Sequence, residues 1–268
     1  MQFERTIGIV GIGFVGNAVK TFFETRSNVI CYDKYKEFDK IEDLLTAHLI
    51  FLCLPTLFDS EKNEYDKSAI YETCEYLSKN NFIGLIVLKS TVEPETTKRL
   101  SDMFKKLKIC HNPEFLTARS AVQDFNNQNH IVIGKGPNCS DKDINILKVV
   151  YREYYPNAKI SICSSLESES MKIMCNSFYA SKVMIFNEYY LLCQKNGADY
   201  KTIVDLMLKN NWINPMHTEV PGPDGQMAYG GACFPKDTQA LNKYMENYKS
   251  ENLVLSNVIK ECKLLREE

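Results

Sequence analysis

A chain of 268 residues, 44% hydrophobic and 25% charged, is long enough to bury one or two real cores, which excludes a disordered polymer. The net charge of -2 offers no basic excess for nucleic acid, and no apolar run approaches the length of a membrane-spanning helix. The N-terminal stretch lacks a leader pattern and the ten cysteines are scattered without a CxxC pair, so the sequence reads as that of a cytoplasmic protein with no metal site.

Seven short runs rich in Ile, Val and Leu alternate with amphipathic stretches, at residues 6–11, 28–33, 48–55, 82–90, 107–110, 130–134 and 159–163. Runs of that kind are buried parallel strands, and the stretches between them are long enough for crossover helices. The expected fold is α/β, a Rossmann-type doubly wound, mostly parallel sheet. Val92-Glu93-Pro94-Glu95 reads as a helix start, with proline and acids in the first turn. From residue 166 to about 195 there is no Gly or Pro, and apolar residues recur at helical spacing, which predicts one helix of roughly 45 Å. Helices that long often lie along dimer interfaces, so a homodimer through 166–195 is expected. Asn196-Gly197 supplies the stop, a helix over 200–209 follows, and a Pro- and Gly-rich loop over 214–231 leads to a final helical region. The boundary falls between a domain over 1–163 and an all-helical domain over 164–268.

The first run ends in Gly11-Ile12-Gly13-Phe14-Val15-Gly16 and opens a helical pattern. In that context the first glycine makes a tight turn, the second admits a pyrophosphate, and the third lets helix and strand pack closely. Asp33 ends the second run about 20 residues further on, where an acid accepts from a ribose 2′-hydroxyl and favours NAD over NADP. Lys34 alongside softens that preference. Leu54-Pro55-Thr56 and Ser90-Thr91 end other runs, and loops at the carboxyl ends of strands hold ligands in this architecture.

A second constellation is Tyr229-Gly230-Gly231-Ala232-Cys233-Phe234-Pro235-Lys236-Asp237. The two glycines bring backbone close to a ligand. If Phe234 onward is helical, Cys233 sits at a helix N-terminus, where the dipole and Lys236 both favour thiolate. Lys172 and Asn176 share one face of the long helix, and Asn112-Pro113-Glu114-Phe115-Leu116 follows the fifth run.

In this order, GIGFVG, KSTV, NPEFL, the K-x-x-x-N helix and YGGACFPKD resemble the UDP-glucose/GDP-mannose dehydrogenase family over roughly residues 6 to 245. The forms CFPKD and NPEFL lean towards members that act on UDP-glucose. The resemblance implies four-electron oxidation of the sugar C6 alcohol to an acid, using two NAD molecules and a cysteine. Cys233 would capture the aldehyde as a thiohemiacetal and carry the thioester that water hydrolyses. Lys172 and Asn176 would stabilise the oxyanion, Asp237 would assist proton transfer or position the water, and Glu114 would act near the thioester. Thr91 would help hold the water or the nicotinamide, and Lys236 would contact the cofactor. Phe115, Leu116, Thr117, Tyr229, Gly230 and Gly231 would line the pocket of a nucleotide-sugar substrate.

Two departures stand out. Where family members often carry a second glutamate four residues after Glu114, this chain has Ala118. Full members also have a further C-terminal α/β domain, whereas the residues after Asp237 suffice for a helix or two. Two other readings remain open here: a two-electron β-hydroxyacid-type dehydrogenase, which pairs a similar fold with K-x-x-x-N but has no need of Cys233, and an NAD-binding protein that no longer turns over.

Overall fold

In chain order, the computed structural model has strands β1 (Thr6–Val10), β2 (Asn28–Tyr32) and β3 (Leu49–Leu52), a short hairpin β4 (Phe58–Asp59) and β5 (Glu64–Tyr65), then β6 (Leu85–Leu88), β7 (Lys108–His111), β8 (His130–Lys135) and β9 (Lys159–Ser164). It describes residues 5–117 and 119–266; Ala118 lies outside the described residues. The helices are α1 (Phe14–Phe23), α2 (Ser68–Lys79), α3 (Thr96–Met103), α4 (Ala121–Asn126), α5 (Asp141–Tyr154), α6 (Ser165–Asn196), α7 (Tyr200–Leu208), α8 (Phe234–Asn247) and α9 (Leu253–Arg266), with a 3-10 turn at Ile41–Thr46. The contacts group Met1–Leu57 with Asp66–Lys172 as one unit, and Phe58–Tyr65 with Ile173–Glu268 as a second.

In the first unit each of the seven apolar runs becomes a strand of one sheet, in the order β2-β1-β3-β6-β7-β8-β9. Pairing is parallel except between β7 and β8, which meet antiparallel at His111 and Gly134. β3 (LIFL) and β6 (LIVL) are buried at every residue, as strands covered on both faces must be. Successive side chains alternate between two cores. Ile7, Ile9, Phe51 and Val87 face one way, with Phe22, Phe125 and Tyr151; Val10, Ile50, Leu52, Ile86 and Leu88 face the other, with Leu77 and Leu100. That alternation is the doubly wound layering expected from the sequence.

The start of α3 differs from the sequence reading. The helix begins at Thr96 rather than within 92–95, and Glu95 just before it has a left-handed φ of 75°. The cap comes from far away in sequence: Thr97 donates its backbone N–H and its hydroxyl to Glu169 at 2.7 and 2.6 Å. Glu169 sits near the start of α6, as does Ser168, whose hydroxyl hydrogen-bonds His111 Nδ1 at 2.8 Å. The beginning of α6 therefore packs with the first unit, whose contacts run on to Lys172 within that helix.

The second unit contains the rest of α6, which is one helix of 32 residues, about 48 Å long. The Gly197 N–H closes it by donating to the Cys193 carbonyl. α7, α8 and α9 follow the sequence expectations. The β4–β5 hairpin, which the sequence reading did not anticipate, belongs here: Tyr65 and Phe58 pack with Ile173, Ala240, Leu241 and Leu255. Among the described residues no helix is long and apolar enough to cross a membrane.

Candidate active site

The first unit contributes the glycine turn at the end of β1. Gly11 has φ +84°, and a Cβ on Gly16 would lie 1.9 Å from the Gly11 carbonyl oxygen, so a side chain at position 16 is excluded by backbone. Gly13 caps α1, and a Cβ there would meet nothing within 4 Å. The N–H groups at the start of α1 thus face an open approach with the positive end of the helix dipole behind them, a cradle suited to a pyrophosphate.

Asp33 stands over this turn. Its carboxylate accepts from the Ile12 N–H at 2.8 Å and the Tyr35 N–H at 3.0 Å. The cation at this edge is not the one singled out in the sequence. Lys34 turns to an exposed pair with Glu72 at 2.9 Å, whereas Lys36 donates to the Ile12 carbonyl and lies 3.9 Å from Asp33. The loops after β3 and β6 are laced together: Ser90 donates to the Leu54 carbonyl and Thr56 to the Thr91 carbonyl, both at 2.7 Å. Leu54, Pro55, Thr56, Ser90 and Thr91 thus form one continuous edge at the carboxyl ends of neighbouring strands.

Glu114 follows β7. It accepts from the Leu116 N–H at 2.6 Å and lies 3.7 Å from Lys172 Nζ, which also sits 5.3 Å from the centre of the Phe115 ring. Glu114, Phe115, Leu116 and Lys172 are therefore neighbours. Thr117 is turned to Asp124, donating its backbone N–H and its hydroxyl to that carboxylate at 2.8 and 3.0 Å. Beneath this loop lies a buried network that the sequence reading missed. Lys89 Nζ donates to Asn112 Oδ1 at 3.1 Å, Tyr151 donates to the same oxygen, and Asn112 Nδ2 donates to the Val132 carbonyl at 2.6 Å. Burial pushes the Lys89 ammonium down to about 8, and among the described residues no carboxylate forms an ion pair with it. Burial likewise raises the Glu169 carboxyl to about 7 and lowers His111 to about 3.

The second unit contributes the cysteine turn. Cys233 is the cap residue of α8, with Pro235 in the first turn, as expected if the helix started at Phe234. Of the ten cysteines it alone is exposed; the others are buried or half-buried. Gly231 has φ +77°, and the Arg266 guanidinium lies 2.3 Å from where a Cβ on Gly230 would stand. Arg266 also bonds Asp224 at 2.6 Å, and Cys262 Sγ donates to the Tyr229 carbonyl at 3.3 Å, so α9 braces the loop that leads to Cys233. Asp237 is fully buried. Its carboxylate accepts from Asn176 Nδ2 at 2.5 Å, Lys236 Nζ at 2.6 Å and the Tyr65 hydroxyl at 2.5 Å. Asn176, Lys236, Asp237 and Cys233 thus cluster at the first turn of α8, and Tyr65 joins them without any signal in its own stretch of sequence. Lys172 and Asn176 stand one turn apart on α6.

Glycine turn, acidic edge, doubly wound sheet and helical unit define a dinucleotide-binding class. Comparison with known proteins is more specific. The NAD binding domain of the UDP-glucose/GDP-mannose dehydrogenase family matches residues 37–155, and the central domain of that family matches residues 166–261. The chain belongs to the UDP-glucose/GDP-mannose dehydrogenase family. A UDP-glucose 6-dehydrogenase of Rickettsia typhi is 33% identical over 233 residues, 83% of this chain and 50% of the relative. The chain spans about half the length of the curated relatives it matches. In fold it is similar to a UDP-glucose dehydrogenase from Pyrobaculum islandicum, with TM-score 0.84 at 22% identity, covering 97% of this chain and 68% of that one. It is also similar in fold to a 3-hydroxyisobutyrate dehydrogenase from Mycobacterium tuberculosis, with TM-score 0.77 at 14% identity, covering 96% and 92%.

Proposed function

We propose that the chain carries the catalytic half of a nucleotide-sugar 6-dehydrogenase that oxidises UDP-glucose to UDP-glucuronate through a thioester on Cys233. The observation that carries this reading is the exposed cysteine at the N-terminus of α8, with Lys236 and a buried Asp237 in the same turn. A two-electron alcohol dehydrogenase has no use for a nucleophile there.

NAD would be held by the glycine turn and Asp33, with Leu54–Thr56 and Ser90–Thr91 along the nicotinamide side, and it supplies the two-electron acceptor for each of two oxidations. The cradle fits it: at the cap of α1 a Cβ on Gly13 would meet nothing within 4 Å, which leaves backbone N–H groups open to a phosphate. The residues of the chain do the rest. In the first oxidation the Lys172 ammonium stabilises the C6 oxygen as the hydroxyl proton passes to Glu114, 3.7 Å from that lysine. The Cys233 thiolate then adds to the C6 aldehyde, forming the C–S bond, and Lys172 and Asn176 stabilise the oxyanion of the thiohemiacetal. After the second oxidation, Glu114 directs water onto the thioester carbonyl, the C–S bond breaks, and Cys233 leaves as thiolate. Covalent capture keeps the aldehyde from escaping between the two oxidations. With three donors on its carboxylate, Asp237 acts as an anchor for Asn176 and Lys236 rather than as the proton carrier. Phe115, Leu116, Thr117 and the Tyr229–Gly231 loop line the sugar side.

A homodimer through α6 belongs to the same proposal. Met174, Phe178, Ile185, Tyr189 and Leu192 are exposed and recur on one face of that helix, a stripe about 27 Å long that suits the same stripe of a second copy. A cytoplasmic location fits a chain whose remaining thiols are held away from solvent.

Cys233→Ser tests the reading. NADH formation from UDP-glucose should fall by at least about 1000-fold, as expected for loss of a covalent nucleophile, while NAD binding measured by calorimetry stays unchanged. Full turnover in that variant rules the mechanism out and favours the two-electron reading, which shares the fold with the 3-hydroxyisobutyrate dehydrogenase at nearly matched length.

A further inference from the structure

Among the described residues Asp237 has three donors: its charged neighbour Lys236 and two neutral groups remote in sequence, Asn176 and Tyr65. Tyr65 reaches it from β5, 172 residues away along the chain. Its side chain is 1% exposed, and its hydroxyl shares Asp237 Oδ1 with Lys236 Nζ. The same lysine sits 4.4 Å above the centre of the Tyr65 ring. Tyr65 therefore holds both members of the ion pair, one through its hydroxyl and the other through its ring face.

We propose that Tyr65 is a positioning residue: by fixing the Lys236–Asp237 pair in the first turn of α8 it sets the reactivity of Cys233. The inference rests on the reading of Cys233 as the nucleophile. The physical chain is short. The phenol O–H points its positive end at the Asp237 carboxylate and offsets part of its negative potential. Without that dipole Asp237 draws Lys236 more strongly, and the field at the cap residue of α8 becomes more negative, which disfavours thiolate. Among the described residues, the titratable groups packed on Phe234 in this turn are Tyr229 and His217 of the preceding loop, 6.4 and 5.5 Å ring to ring, and Lys182 of α6 lies further off, bonded to the Met216 carbonyl. Among the described residues the side-chain donors to Asp237 are Tyr65, Asn176 and Lys236, so Tyr65→Phe removes one of them directly.

The test is the rate of Cys233 alkylation by iodoacetamide, followed on its own peptide by mass spectrometry between about pH 6 and pH 9, in wild type and Tyr65→Phe. The ring and its contact with Lys236 remain in that variant. Alkylation at neutral pH should slow by about threefold to tenfold, with the whole profile displaced to higher pH. Site-specific Tyr65→3-fluorotyrosine keeps the hydroxyl and strengthens it as a donor, so it should move the profile the other way and remains informative if the Phe variant fails to fold. Profiles that coincide with wild type in the variants that fold overturn the proposal. NADH formation by the wild type, measured alongside, separates the two claims. A displaced profile without NADH removes the dehydrogenase reading and leaves the role of Tyr65. NADH with coincident profiles does the reverse. Where both hold, Tyr65→Phe lowers kcat and leaves the KM for NAD unchanged.

Discussion

Replacing Lys89 by methionine should make the protein more stable. A buried ammonium whose pKa falls from 10.5 to about 8 carries a burial penalty of about 3 kcal/mol at neutral pH, at about 1.4 kcal/mol per unit. Methionine of similar reach removes that penalty and forfeits one hydrogen bond to Asn112, worth about 1 kcal/mol, because Tyr151 still donates to the same oxygen. The net gain is about 2 kcal/mol, or roughly 5 °C in Tm for a chain of this size. The sign of the pH dependence follows from the direction of the shift. Below about pH 8 the lysine is charged in both states and the penalty is fully present. Between there and 10.5 the folded protein releases the proton first, so the wild type gains stability as pH rises, and above that range the penalty is gone. Buried cysteines titrate in the opposite sense: burial pushes Cys53 and Cys74 up to about 12, so stability falls as they ionise in the unfolded chain first. The quantity to measure is therefore the difference between wild type and Lys89→Met. Urea unfolding followed by circular dichroism should show the variant ahead by about 2 kcal/mol at pH 7 and the gap closing by pH 10. A variant less stable than wild type at pH 7, or a gap that does not change with pH, would refute the burial argument. The same variant should lose activity, because Lys89 and Asn112 hold the start of the loop that carries Glu114.

Two further outcomes bear on the cofactor turn and on assembly. Gly16→Ala places a Cβ 1.9 Å from a backbone oxygen that cannot give way, and calorimetry should show NAD affinity reduced at least about 100-fold (about 3 kcal/mol); unchanged affinity would mean that the turn does not hold the pyrophosphate. Phe178→Glu puts a charge in the middle of the exposed α6 stripe, and sedimentation should show a dimer dissociating at concentrations about 100-fold higher than for wild type; an unchanged oligomeric state removes that stripe as the interface.

The sheet was legible because its strands are continuous apolar runs bounded by turn residues, and each of the seven runs became a strand of the expected, mostly parallel sheet. The long helix was legible for the opposite reason: no glycine or proline interrupts residues 166–195. The glycine turn and the cysteine turn are local in sequence, so their geometry could be read from it. What stayed hidden depends on pairs far apart in the chain. The hairpin over 58–65 is short and mostly polar, and Tyr65 gives no local sign that it meets Asp237. The start of α3 has no local signature because its cap is Glu169, on another helix. Lys34 drew attention by standing next to Asp33, yet a turn of the backbone sends it to Glu72 and brings Lys36 to the glycine turn instead. Lys89 did leave a trace, a lysine at the end of the apolar run LIVLK, but Asn112 just after β7 and Tyr151 on α5 come together with it only when the sheet forms.

The central claim is a four-electron oxidation through Cys233, and counting NADH against a limiting amount of UDP-glucose tests it most directly. The account predicts two NADH per sugar, with UDP-glucuronate as the product and no free aldehyde trapped by hydroxylamine. One NADH per sugar, or none despite measurable NAD binding, would contradict it.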